Sequence, residues 1–159
     1  MAVRHFQYDD FSARKSVGYL LRQTLNLMQP RLEAVFADHE FTFVQWCVLM
    51  QLRDGLANRA ADISRNLNHD SGALTRVIDQ LDARGMIERT RSTEDRRIVE
   101  LALTAQGSDA VESLIPLVVD SLNDLFADFS RDEMNQLSGL LHRVLSKLQD
   151  DSSSQGGIP

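Results

Sequence analysis

The stretch "DSGALTRVIDQLDARGMIERTRSTEDRRIVELALTAQG", Asp70 to Gly107, changes its apolar period halfway, and that change decides the fold. Its first half reads as a helix. Asp70 is a good N-cap, and Leu74, Val77, Ile78 and Leu81 form an i, i+3, i+4, i+7 stripe. Gly85 sits where a left-handed C-terminal residue belongs. The opposite face carries Ser71, Thr75, Arg76 and Asp79, short and polar enough to approach another surface closely. After Gly85 the period drops to two. "MIERTR" and "RRIVELAL" read as strands joined by "STED", with Val99, Leu101 and Leu103 alternating inward. Arg89, Arg91, Arg96 and Arg97 therefore crowd one β-hairpin. A charge run is usually a solvated face, but four arginines exceed what a hairpin tip needs for solvation.

The flanking sequence supplies the rest of the architecture. Upstream, Ala60, Ile63 and Leu67 share one face of a short helix, joined to the Asp70 helix by a tight turn. Thr42 and Gln45 form a capping box opening "VQWCVLMQL", which ends near Asp54–Gly55. Residues 10–38 read as a long helix with Val17, Leu20, Leu21, Leu25 and Met28 at helical spacing, kinked or divided at Pro30. Downstream, Thr104 caps a helix running to about Asp128, interrupted or bent at Pro116. Ser130 and Glu133 make a second capping box. In the helix that follows, Met134, Leu137, Leu141, Val144 and Leu148 repeat at 3-4-3-4 spacing, a coiled-coil-like seam widened by Leu140 and Leu145. The tail "DDSSSQGGIP" is expected to be disordered.

Helix, turn, second helix with a polar outward face, then a basic hairpin: this order describes a winged helix-turn-helix. Such a helix fits the major groove of B-DNA, about 12 Å wide. The hairpin would lie along the backbone or in the minor groove, where arginine is favoured. The fold class is thus mainly α with a small β-wing. Residues 40–103 form the winged helix-turn-helix DNA-binding domain, residues 10–38 and 104–149 a helical dimerisation region, and residues 150–159 the tail. More apolar helix surface flanks the wing than so small a domain covers, which points to a homodimer.

The charge distribution agrees. The 159 residues carry a net charge of −6, which taken as an average argues against a nucleic-acid partner. From Arg53 to Arg97, however, nine arginines face eight acids, while the remainder of the chain carries −7. Both lysines, Lys15 and Lys147, lie outside that middle segment. Arginine forks suit bidentate phosphate and base contacts better than lysine does.

The same stretch resembles the MarR family of bacterial transcription regulators. The most diagnostic piece is the wing pattern D-x-R, then alternating apolar residues, then L-T-x-x-G: Asp95, Arg97, Leu103, Thr104 and Gly107. The helix order matches over about residues 10–149. The resemblance implies a homodimer on double-stranded DNA, binding a roughly palindromic operator, usually as a repressor. Two-fold symmetry would set the recognition helices about 34–36 Å apart. Asp95 resembles the family's wing aspartate, which orients the wing arginine by a salt bridge, and Arg97 resembles that arginine, entering the minor groove. Ser71, Thr75 and Arg76 match recognition-helix positions that contact bases or phosphates. Arg91 and Arg96 are either further DNA contacts or solvated wing charges.

For small-molecule control, the resemblance implies a pocket where the dimer helices meet the winged domain, with aromatic acids or phenols as frequent effectors. Tyr19, Arg22, His39, Phe43 and Trp46 would supply aromatic walls and a positive group. The alternative is ordinary: Phe43 and Trp46 pack in the core and Arg22 pairs with an acid.

Other chemistries find little support. His5, His39, His69 and His142 are scattered without metal-ligand spacing to one another or to Cys47, so no metal, cofactor or catalytic centre is expected. There is no Gly-rich phosphate loop and no nucleophile elbow. The single cysteine, Cys47, precludes an internal disulfide and fits a reducing cytosol. It lies in an apolar run without basic neighbours to activate it, so core packing is expected over redox sensing. No apolar run reaches the roughly 18 residues of a membrane span, and the first residues lack the apolar core of a secretory signal. The expectation is a cytoplasmic regulator and not an enzyme. A redox regulator acting through Cys47, and a winged-helix protein-interaction module without DNA binding, are the alternatives.

Overall fold

A computed structural model describes residues 5–9, 11–92 and 95–155, with side chains to residue 151. Asp10, Thr93 and Glu94 lie outside the described residues, as do residues 1–4 and 156–159. Among the described residues, six α-helices and one hairpin follow in the order α1 (Val17–Val35), α2 (Phe43–Arg53), α3 (Ala60–Asn66), α4 (Ser71–Ala83), β1 (Ile87–Arg91), β2 (Val99–Leu103), α5 (Ala105–Leu125) and α6 (Arg131–Gln155). The chain divides into two compact units, Met1–Ser121 and Leu122–Pro159.

Local capping sets most of the boundaries in the first unit. Thr42 and Gln45 close a reciprocal capping box: Gln45 N donates to Thr42 Oγ1 at 3.2 Å, and Thr42 N to Gln45 Oε1 at 3.0 Å. Asp70 Oδ1 accepts from Ala73 N at 2.8 Å and starts α4. The positive φ of Gly55 (63°) and Gly85 (69°) lets the chain leave α2 and α4 in the left-handed region. Thr104 Oγ1 accepts from Gly107 N at 3.0 Å to open α5, and donates to Gly85 O at 2.6 Å. One hydroxyl thus ties the exit of α4 to the start of α5.

The core of this unit gathers Val48 and Leu49 of α2, Ile63 of α3, Leu74, Ile78 and Leu81 of α4, Ile87 of β1, Leu101 of β2 and Val111 of α5. The hairpin is antiparallel, with Ile87 opposite Leu103 and Arg91 opposite Val99. It is anchored twice at its middle rung. Leu101 is buried, and its N–H donates to Asn58 O at 2.7 Å, docking β2 on the segment before α3.

Several sequence expectations change. The first helix starts at Val17, not near residue 10: a single 3-10 turn, Ala13–Lys15, precedes Ser16, which is extended and caps the helix through Tyr19 N at 3.4 Å. Of the two effects expected of Pro30 and Pro116, a bend or a break, the break does not occur: both lie inside continuous helices, α1 and α5. Val99 does not face inward; it is 46% exposed. It occupies the last ladder rung before the tip, where the body of the unit no longer lies beneath the hairpin. Strand alternation assigns a face but does not say whether anything covers it.

In the second unit, Phe126 and Phe129 meet edge to face at 5.7 Å in the turn before α6. Ser130 and Glu133 form the expected capping box, with Ser130 N donating to Glu133 Oε2 at 2.8 Å and Glu133 N to Ser130 Oγ at 3.3 Å. The Ser130 hydroxyl, donating to Glu133 Oε2 at 2.7 Å, and the Ser130 N–H together hold the Glu133 carboxyl below its ordinary pKa. Helix α6 continues to Gln155, so the tail expected to be disordered from residue 150 begins as helix. An i, i+4 ion pair, Lys147 Nζ to Asp151 Oδ1 at 3.2 Å, spans that junction.

Candidate nucleic-acid interface

Helix α4 buries Leu74, Ile78 and Leu81 and leaves Ser71, Thr75, Arg76 and Asp79 exposed. The three sequence-assigned contact residues of this helix therefore share its outer side. Ser71 and Thr75 stand one turn apart, and Thr75 Oγ1 donates to Ser71 O at 2.8 Å. That bond fixes the hydroxyl and turns its acceptor side outward.

The wing holds the other candidates. Asp95 organises the returning chain: its Oδ1 accepts from Arg97 N at 2.9 Å, and its carbonyl accepts from Ile98 N at 2.9 Å. Ser92 N then donates to Ile98 O at 2.9 Å and closes the hairpin. The same Asp95 Oδ1 lies 3.7 Å from Arg97 Nε, while the Arg97 side chain is 94% exposed. The carboxylate thus fixes the backbone at Arg97 and lies beside its guanidinium without burying it. Arg91 and Arg96 are exposed on the same hairpin.

Arg89, the fourth arginine of the basic run, behaves differently. Its Nη2 pairs with Asp79 and its Nε with Asp82 Oδ2 at 3.1 Å, both on α4. The sequence counts it among the arginines of a DNA wing without singling it out as a contact. The two aspartates stand at helical i, i+3 spacing, a visible signal, but the strand register that brings Arg89 to them is not local.

Two further ties hold α4 to the start of α2. Gln45, buried, donates through Nε2 to Gln80 Oε1 at 3.0 Å. Arg84 Nη1 donates to Glu40 O at 2.6 Å, and its guanidinium lies 4.2 Å from the centre of the Phe41 ring.

The effector candidates are not gathered as a set. Phe43 lines an open cavity of about 410 Å³, together with Phe36 and Phe41, and with Glu33 as its charged member. Trp46 is buried 6.0 Å from Phe36, ring centre to ring centre, as a core residue. Tyr19 and Arg22 on α1 and His39 after it are exposed, and none of them lines that cavity. The cavity wall therefore carries a carboxylate where a positive group was expected.

Cys47 is half-buried, and burial pushes its thiol up to about 11. A thiol so hard to ionise is a poor nucleophile. Among the described residues, no group of three or more His, Cys, Asp or Glu could hold a metal, and no helix is long and apolar enough to cross a membrane.

Comparison with known proteins agrees with this geometry. The model of the MarR family matches residues 41–99, from the start of α2 to the returning strand of the wing. The transcriptional repressor MprA of Escherichia coli K12 is 29% identical over 99% of this chain and 88% of its own length. A cysteine-to-serine variant of E. coli MarR, solved in complex with operator DNA, superposes with a TM-score of 0.68 at 29% identity, covering 81% of this chain and 93% of that one. BpsR of Bordetella bronchiseptica, solved in a study of how 6-hydroxynicotinic acid regulates its DNA binding, gives a TM-score of 0.70 at 26% identity over 84% of this chain and 96% of its own. With the outward polar row of α4 beside an arginine-bearing wing, these likenesses lead to one conclusion: residues 41–99 match the MarR family, and the chain is a DNA-binding transcriptional regulator, not an enzyme.

Proposed function

We propose that the protein is a repressor that binds a palindromic operator as a homodimer and is released by a small aromatic or phenolic effector. The observation that carries the DNA contact is the exposed Arg97 guanidinium on the wing, with Asp95 bonded to its backbone N–H and 3.7 Å from its Nε. In this reading α4 enters the major groove with Ser71, Thr75 and Arg76 at the bases and phosphates, and Arg97 enters the minor groove. Arg91 and Arg96 contribute phosphate charge, and Asp95 acts by orientation.

The organisation follows. Residues 40–103 recognise DNA, while residues 10–38 and 104–149 supply the dimer contacts. Support for dimerisation is the apolar surface that a single chain leaves uncovered: α1 buries no residue, and Leu140, Leu145 and Leu148 on α6 are exposed. Support for repression is likeness to MprA, whose name describes a transcriptional repressor. Support for an aromatic effector is likeness to BpsR and the Phe36, Phe41 and Phe43 wall.

The test is selection of binding sites from random duplex DNA by the full chain, followed by quantitative gel shifts across a salt series. A selected inverted repeat, bound as one dimer with competitor-resistant and steeply salt-dependent affinity, is the expected result. A single half-site bound by monomer would overturn the dimeric operator reading. Aromatic acids and phenols are then screened for release of the selected duplex.

A further inference from the structure

We propose that Arg89 is a positioning residue for DNA recognition, clamping the wing to the recognition helix through Asp79 and Asp82 instead of touching the nucleic acid. The proposal rests on the reading of α4 as the recognition helix.

Three observations carry it. First, the guanidinium of Arg89 faces both carboxylates, with Nη2 toward Asp79 and Nε toward Asp82. Its donors are fixed in one plane, so a single side chain spans two positions of α4, which a lysine point charge cannot do. Second, the arginines of the hairpin differ in exposure: the Arg89 side chain is 37% exposed against 94% for Arg97. Third, Arg89 lies opposite Leu101 in the ladder. Leu101 is the buried residue whose N–H is bonded to Asn58 O. Arg89 therefore grips α4 at the rung where the hairpin is footed on the body, while Arg91 and Val99 form a rung farther out.

The chemistry explains why a clamp belongs there. Asp79 is exposed on the side of α4 that also presents Thr75 and Arg76. Unpaired, two carboxylates on that helix would repel each other and the phosphate backbone. Arg89 offsets one of the two charges and converts their mutual repulsion into a bond between wing and helix. A half-exposed network of this kind adds little to global stability. Its effect is angular: a small rotation at the footing is amplified along the hairpin toward Arg97.

The experiment uses the full chain and a duplex selected by the wild-type protein. Failure of the wild type to select or retain any DNA would sink the recognition-helix reading itself, before any variant is compared. Given a wild-type duplex, affinities are measured across a salt series for Arg89→Ala, for Asp79→Asn with Asp82→Asn, and for the triple variant. Removing two negative charges near DNA should tighten binding if simple repulsion dominates. The clamp requires the opposite: the asparagine pair and Arg89→Ala each weaken binding about 10-fold, on the scale of a misplaced groove contact, and the triple variant is no weaker than Arg89→Ala. The salt slope stays at the wild-type value, and site selection with Arg89→Ala loses base preference under the wing but keeps it under α4.

Three results would overturn the proposal. Tighter or unchanged binding by the asparagine pair is one. A fall of about 1 in the salt slope of Arg89→Ala, the signature of a lost phosphate contact, is another. The third is uniform loss across all base positions together with a lowered melting temperature, which would make Arg89 merely structural. If Arg89→Ala does not fold, the near-isosteric asparagine pair alone decides the sign.

Discussion

The backbone of Gly107 runs against the Met86 carbonyl so closely that a Cβ on Gly107 would stand 1.9 Å from the oxygen. This contact joins the first turn of α5 to the residue that enters the wing, and it explains the glycine of the L-T-x-x-G pattern: nothing larger than hydrogen fits. Because the obstacle is backbone, it cannot swing aside. Gly107→Ala is expected to destabilise the protein by about 1–3 kcal/mol, read from urea or thermal unfolding. Gly139→Ala is the control, since a Cβ there meets nothing within 4 Å. It should be neutral or stabilising by up to about 1 kcal/mol. Equal effects at the two sites would show that the Gly107 approach is not a constraint.

Asp95 and Arg97 give a prediction whose sign separates two kinds of electrostatics. Arg97→Ala should weaken operator binding by about 1–3 kcal/mol, the scale of a specific groove contact. Asp95→Ala removes a negative charge from the wing, yet on the proposed reading should also weaken binding, because the carboxylate accepts from Arg97 N and lies 3.7 Å from Arg97 Nε. Gel shifts on the selected duplex read both. Tighter binding by Asp95→Ala would mean that repulsion, not orientation, governs this position.

The parts of this structure legible in the sequence are those set by neighbours three or four residues apart. Thr42 with Gln45, Asp70 with its helix, Thr104 with Gly107, and Ser130 with Glu133 are all local devices, and each appears as expected. The period change at Gly85 located the hairpin for the same reason. Contacts between distant segments were not legible. The Arg89 clamp depends on strand register, the Gln45–Gln80 bond joins residues 35 positions apart, and Arg84 reaches back to Phe41. Tyr19, Arg22, His39, Phe43 and Trp46 were grouped by residue type, and type does not say which side chains share a cavity. Covering was likewise invisible: Val99 sits on the correct alternation but beyond the reach of the core.

The Cys47 thiol makes a prediction in alkali. Burial raises it from 9.0 to about 11, so the folded protein keeps its proton where the unfolded chain has lost it. The unfolded state then binds fewer protons, and stability falls as pH rises. The contribution is fully present below about pH 9 and is lost progressively toward pH 11. At 1.4 kcal/mol per unit, the loss is on the order of 2–3 kcal/mol. Other groups titrate in this range, so the relevant quantity is the difference in unfolding free energy between wild type and Cys47→Ala. That difference should shrink between pH 9 and 11, and a flat difference would mean that the thiol is not desolvated. The same burial predicts slow reaction with thiol reagents at neutral pH and unchanged DNA binding after mild oxidation.

The last prediction concerns α6. Along it, Leu137, Val144 and Leu148 follow the seam spacing and are 40–58% exposed in a single chain, with Leu140 and Leu145 beside them. A helix with that stripe and a strongly polar remainder cannot keep so much apolar surface in water without a partner. A second copy is the occupant that a self-complementary seam suits, because two-fold pairing presents the same stripe to itself. Leu148→Glu places a charge in the stripe, and burying it unpaired costs far more than the single side chain gains. The variant should sediment as a monomer at concentrations where wild type is a dimer. Binding to an inverted repeat should fall sharply, while binding to an isolated half-site, weak in both proteins, should be unchanged. A dimeric Leu148→Glu protein would move the dimer contact off this end of α6, and a monomeric one that keeps full operator affinity would separate recognition from dimerisation.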